Sequence, residues 1–212
     1  YRRGAELAKE AGFDGVEVHG ANGYLLDQFL QDGSNQRTDA YGGSIENRAR
    51  LLLEVTDAAI SVWGKGRVGV RLSPYGTFND MHDSDPVALF THVLKALSAR
   101  GIAYAHLIEP RATGAGGSDA KNENAPQTAG LFRNAFKGVL VSAGGYDRAL
   151  ALEAVESGNA DAVAFGRLFI ANPDLPERLR LNAPLNPYQR ATFYGGGAKG
   201  YTDYPFLNAA AA

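Results

Sequence analysis

Five short apolar runs, each leading into a helical pattern, constrain this chain more than any other feature. They cover residues 13–19, 67–72, 103–108, 138–142 and 160–165, and each is continuous rather than alternating. A strand that is apolar on successive residues is covered on both faces, as in a parallel sheet packed by crossover helices. Helical patterns at 2–11, 45–63, 86–100, 126–136, 148–157 and 173–181 fill the intervals, with a short helix or turn at 24–31. Ser44, Asp85 and Asp147 stand where N-caps belong, Pro86 at a first helical position, and Gly101 just past a helix end.

The alternation predicts an α/β protein, and two architectures satisfy it: a doubly wound open sheet and a (β/α)8 TIM barrel. No Gly-x-Gly-x-x-Gly follows the first run, which counts against a dinucleotide-binding doubly wound domain. The last two runs end in Ala143-Gly144-Gly145 and in Gly166-Arg167. In barrels, the loops after strands seven and eight often bind phosphate. On that reading the chain carries strands 4–8, about five βα units. Five strands cannot close a barrel, so the reading expects an incomplete domain over 1–208, with 209–212 (four Ala) as a tail.

The formal net charge of −2 supplies no basic field for nucleic acid. There is no cysteine, so disulfides, thiolate nucleophiles and Cys-based metal sites are excluded. No apolar run approaches the roughly 18 residues needed to span a membrane. A cytoplasmic protein with neither nucleic-acid nor membrane partners is the expectation.

Chemistry concentrates at the end of the first run. His19, Asn22 and Tyr24 lie within six residues of one another, where a parallel α/β protein gathers ligands. A lone His after an apolar strand is more commonly a structural residue, so the case rests on agreement from other stretches. His82, His92 and His106 show no metal-ligand spacing and read as structural or surface residues. The stretch 112–117 is Gly-rich but lacks the ending of a P-loop.

The agreement comes from motifs. His19-Gly20-Ala21-Asn22-Gly23-Tyr24-Leu25-Leu26-Asp27-Gln28-Phe29-Leu30 resembles the signature of the Old Yellow Enzyme family of FMN-dependent ene-reductases. The resemblance continues from Ser34 to Arg48, at Val70-Arg71-Leu72-Ser73-Pro74, at Phe165-Gly166-Arg167 and from Gly195 to Pro205. The closing stretch is similar to the bacterial branch that includes N-ethylmaleimide and pentaerythritol tetranitrate reductases. The family's first ~150 residues, about three strands with a hairpin lid, have no counterpart here.

The resemblance implies roles residue by residue. His19 and Asn22 match the pair that hydrogen-bonds a substrate carbonyl or nitro oxygen; both donate without formal charge. Tyr24 matches the proton donor to the substrate α-carbon, and a phenol of ordinary pKa, about 10, keeps its proton at neutral pH. Arg71 matches the cation beside flavin N1 and O2; a structural ion pair is its other reading. Arg167, with the backbone of Gly144, Gly145 and Gly166, matches the FMN phosphate cradle. Tyr146 would lie near the dimethylbenzene side of the flavin and Tyr204 would line the substrate pocket. Many bacterial members have His where Asn22 stands, and some relatives have Asn in place of Gly145.

The implied activity is reduction of activated alkenes with NADPH or NADH: hydride leaves flavin N5, and Tyr24 protonates the α-carbon. A separate amino-terminal chain that completes the barrel is the expected partner. An inactive half-barrel without flavin is the alternative, and a non-flavin sugar-phosphate barrel would have no use for His19, Asn22 and Tyr24 together.

Overall fold

The computed structural model describes residues 1–112, 122, 124–194 and 196–207. Helix α1 (Arg2–Glu10) leads into β1 (Val16–Gly20), α2 (Leu25–Leu30) and α3 (Ile45–Trp63). Next come β2 (Val68–Leu72), α4 (Pro86–Arg100), β3 (Tyr104–Ile108), α5 (Thr128–Phe132) and β4 (Val139–Ala143). Helix α6 (Arg148–Glu156), β5 (Ala162–Ala164), α7 (Arg167–Ala171) and α8 (Leu175–Leu181) complete the order. The expected tail at 209–212, Gly195 and the stretch 113–121 lie outside the described residues.

All four strand pairings are parallel, and spatial order follows chain order, β1-β2-β3-β4-β5. A doubly wound sheet reverses its order at a switch point, whereas a barrel adds each strand beside the last. The architecture is that of consecutive barrel units.

Strand alternation divides the sheet cleanly. Val18, Val68, Val70, Leu72, Ala105, Leu107 and Leu140 face the helices and are buried, joined there by Leu52, Leu89, Phe90, Leu97 and Phe132. Burying each such large side chain contributes about 1.5–3 kcal/mol before conformational entropy is counted. The opposite face carries His19, Arg71, His106, Val141 and Ala162 side by side in register. One layer nearer the strands' amino ends lie Glu17, Gly69, Tyr104 and Val139, the last 47% exposed. A Cβ at Gly69 would stand 2.3 Å from the Tyr104 ring, so a side chain there would have to displace that ring.

The expected caps form. Asn47 N donates to Ser44 Oγ (3.4 Å), Ala88 N to Asp85 Oδ1 (2.9 Å) and Leu150 N to Asp147 Oδ1 (2.9 Å). Gly101 ends α4 at φ 65°. Two helical readings need correction. The pattern at 126–136 is only a five-residue helix followed by a 3-10 turn at Arg133–Ala135. Arg133 tightens that turn by donating to the carbonyls of Phe136 (2.9 Å) and Gly138 (2.7 Å). Helix α7 is additional; at five residues it is too short to show a period.

No helix among the described residues is long and apolar enough to cross a membrane. No described group of three His, Asp or Glu side chains could hold a metal.

Candidate active site

Strand β1 ends at Gly20, and the chain turns through Ala21-Asn22-Gly23 before α2 begins. Asn22 adopts a left-handed backbone (φ 59°), which Asn tolerates better than most residues, and its N–H donates to Ser73 Oγ at 2.7 Å. Gly23 also has positive φ (69°), and a Cβ there would stand 2.5 Å from the Phe78 carbonyl oxygen. The turn therefore lies pressed against the loop after β2.

Tyr24 follows this turn and is 52% exposed. Its ring centroid is 5.4 Å from that of His19. The His19 pKa is lowered, first by burial and then by the charge of Arg71. His19 is accordingly a neutral imidazole at pH 7, able to donate one N–H without carrying charge.

Arg71 neighbours His19 in register on β2. Its Nε is buried without a hydrogen-bond partner. Buried donors are almost always paired, so this nitrogen keeps an unused capacity to donate beside the cleft. That observation favours the ligand-facing reading of Arg71 over a structural ion pair.

The cleft beside it has a volume of about 630 Å³. Asn22, Arg71, Gly144, Gly145, Tyr146, Gly166 and Arg167 line it, as do Ile108, Ala143, Ala164, Leu185 and Tyr188. Gly144 (φ 109°) and Gly145 (φ 67°) form the turn after β4. Gly144 has no room for a side chain, since a Cβ would lie 2.8 Å from the Glu109 carbonyl oxygen. Its own carbonyl accepts from Arg111 Nε at 2.9 Å. Gly166 is the residue that precedes α7, with open space where its Cβ would be, and Arg167 begins that helix.

Tyr146 is buried: its hydroxyl donates to Ser142 Oγ (2.8 Å), and the Arg111 guanidinium lies 4.1 Å from its ring centroid. Tyr204 is directed elsewhere, its hydroxyl accepting from Gln189 N at 3.0 Å, and it is not among the cleft-lining residues. Of the expected site residues, the structure thus gathers seven around one cleft. It sets His19 and Tyr24 beside Asn22 at the cleft's β1 end and leaves Tyr204 apart.

His106 is the residue that sequence reading passed over. It sits between Arg71 and Val141 on the cleft face, with Nδ1 3.0 Å from Glu17 Oε2 and Nε2 buried and unpartnered. Glu17 and His106 are 89 positions apart, so only sheet register reveals the pair. Burial alone would raise the Glu17 pKa, but the His106 hydrogen bond and charge hold it below its ordinary value.

The cleft thus offers an unpaired buried Arg nitrogen and a glycine-lined turn on one wall. Comparison with known proteins places the chain in a family. The family model for the NADH:flavin oxidoreductase / NADH oxidase family matches residues 1–186. Rice (Oryza sativa subsp. japonica) 12-oxophytodienoate reductase 1 is 53% identical over 212 residues, spanning 98% of this chain and 54% of that protein. The rice 12-oxophytodienoate reductase 7 is 52% identical over 217 residues, with shares of 98% and 55%. The solved structure of morphinone reductase with tetrahydroNAD superposes with a TM-score of 0.88 at 50% identity, over 99% of this chain and 55% of its own. The old yellow enzyme homologue from Zymomonas mobilis gives 0.90 at 44% identity, over 98% and 57%. The chain thus spans about half the length of the relatives it matches.

Proposed function

Because the chain belongs to the NADH:flavin oxidoreductase / NADH oxidase family, we propose that residues 1–208 are the carboxyl-terminal part of a flavin-binding TIM-barrel enzyme. That enzyme reduces activated alkenes (enones, maleimides, nitroalkenes) with FMN and NADPH or NADH. The observation that carries the reading is the unpaired Arg71 Nε in the same cleft as Asn22 and the Gly144, Gly145, Gly166 and Arg167 turns.

Arg71 would hold the flavin's acceptor atoms N1 and O2 and offset the negative charge of its reduced form, and the two glycine turns with Arg167 would hold its phosphate. FMN, when bound, supplies the chemistry of hydride acceptance and delivery. The chain's own residues do the rest. His19 and Asn22 hold the substrate's electron-withdrawing oxygen by two hydrogen bonds. These strengthen as negative charge develops on that oxygen, and the neutral imidazole donates without a counter-charge to desolvate. Tyr24 gives its phenolic proton to the substrate's α-carbon, a role that its exposure beside His19 supports.

Strands β1 and β5 are the edges of the described sheet, and edges with unpaired backbone groups invite further strands. Activity therefore requires the remaining βα units, supplied by a longer polypeptide or by a second chain.

The test is the visible spectrum of purified protein mixed with FMN, followed by anaerobic NADPH and then cyclohexenone. Flavin absorbance that perturbs on mixing, bleaches with NADPH and returns with the enone supports the reading. A protein that leaves the FMN spectrum untouched, alone and with the relatives' amino-terminal units added, refutes it.

A further inference from the structure

Three buried or half-buried groups outside the expected site converge on the Asn22 turn. Asp27 of α2 has no solvent exposure; its Oδ2 accepts from Gly23 N (2.9 Å) and from Ser73 Oγ (3.1 Å), and its Oδ1 accepts from Gln31 Nε2 (2.8 Å). Ser73, which directly follows β2, spends its single O–H on Asp27 and so presents a lone pair to Asn22 N–H at 2.7 Å. The order Asp27–Ser73–Asn22 thus has one consistent hydrogen-bond direction. It ties the left-handed Asn22 turn of β1 to the end of β2, two residues past Arg71.

Resting on the function proposed above, we infer that Asp27 and Ser73 are positioning residues: the Asp27 carboxylate orients the Ser73 hydroxyl, which fixes the Asn22 turn that holds substrate oxygen relative to Arg71. A carboxylate is needed because one oxygen accepts two hydrogen bonds while the other engages Gln31. An amide or protonated acid in its place keeps at most one oxygen as a neutral acceptor for Gly23 N and Ser73 Oγ and needs Gln31 to turn its amide over, which weakens the clamp.

Burial raises the Asp27 pKa above its ordinary 3.8, against the hydrogen bonds from Gln31, Gly23 and Ser73 that favour the ion. His19 on β1 lowers it when protonated in acid; from α3, Arg48 is already paired with Asp83. The clamp is consequently lost as pH falls through a value above that of a free aspartate.

The experiment follows the Gly23 and Asn22 amide resonances of the full 212-residue chain across acid to neutral pH. Both should titrate together in the wild type. In Ser73→Ala, Gly23 should still titrate while Asn22 no longer follows. An unresponsive Gly23, or an Asn22 that follows Asp27 without the hydroxyl, overturns the relay. In the FMN-loaded, completed enzyme, Ser73→Ala should raise KM for cyclohexenone about tenfold, the worth of one such hydrogen bond, while FMN affinity stays within about twofold. Affinity for FMN falling in step with KM would mean a merely structural role and would overturn the assignment. If the wild-type enzyme reduces no enone, the ene-reductase reading fails, and the amide titration alone decides the clamp.

Discussion

Gly144→Ala tests the phosphate cradle most directly. At φ 109° an L-residue is strained, and the added Cβ would stand 2.8 Å from the Glu109 carbonyl oxygen, against about 3.4 Å for ordinary contact. The turn or the end of β3 must therefore yield by about 0.6 Å. Yielding is difficult, because Glu109 N donates to Ala143 O (2.7 Å) and Arg111 Nε holds the Gly144 carbonyl (2.9 Å). Residues forced into sparsely populated backbone regions cost about 1–3 kcal/mol. For a chain of this size that predicts a Tm lower by roughly 2–12 °C. If the cradle must also move to accept the phosphate, the same energy predicts FMN binding about 5- to 150-fold weaker. Gly166→Ala is the control: its φ is −99° and a Cβ there meets nothing within 4 Å, so its Tm should match wild type. Thermal unfolding by circular dichroism and FMN fluorescence titration measure both quantities. Equal Tm values for the two variants would refute the argument.

Tyr24→Phe keeps the ring beside His19 but removes the proton; enone-driven flavin reoxidation should slow by about 10²–10⁴ in stopped flow while NADPH-driven reduction persists. Equal slowing of both half-reactions would exclude Tyr24 as proton donor. Glu17 has its pKa lowered from 4.5: burial opposes this, but the His106 hydrogen bond and charge outweigh it. Its stabilisation is therefore present above about pH 4.5 and lost as pH falls through the lowered value. Glu17→Gln should lower the urea midpoint at pH 7 and leave it nearly unchanged well below the wild-type pKa, and a constant deficit at both pH values contradicts the pairing. Asp85→Ala removes the acceptor for Ala88 N and should cost about 1 kcal/mol, read from the same urea curves.

Much of this was legible in the sequence because it is written locally. Continuous apolar runs announce strands covered by helices, and Ser44, Asp85 and Asp147 announce helix starts through side chains a few positions away. That Asn22, Arg71, Gly144 and Arg167 belong to one site was implied by the family resemblance, and their places on or just after β1, β2, β4 and β5 bring them to one cleft. What the sequence hid is non-local. The partner of His106 is on another strand, and Ser73 reaches Asn22 and Asp27 across the β2 loop. The short α5 was overread because its apolar period continues through residues that Arg133 draws into a tighter turn.

The first amides of α5 are satisfied from outside the helix. Thr128 N (2.8 Å) and Ala129 N (3.0 Å) both donate to the Glu109 carboxylate, which also accepts from Ser142 Oγ (3.0 Å). A helix that takes its cap from the preceding strand does not depend on the connecting segment for its start. Substitution of Gln127, just before those amides, should therefore leave the start of α5 in place. Glu109 itself is the position least free to diverge, since replacing it disturbs β3, α5 and β4 together.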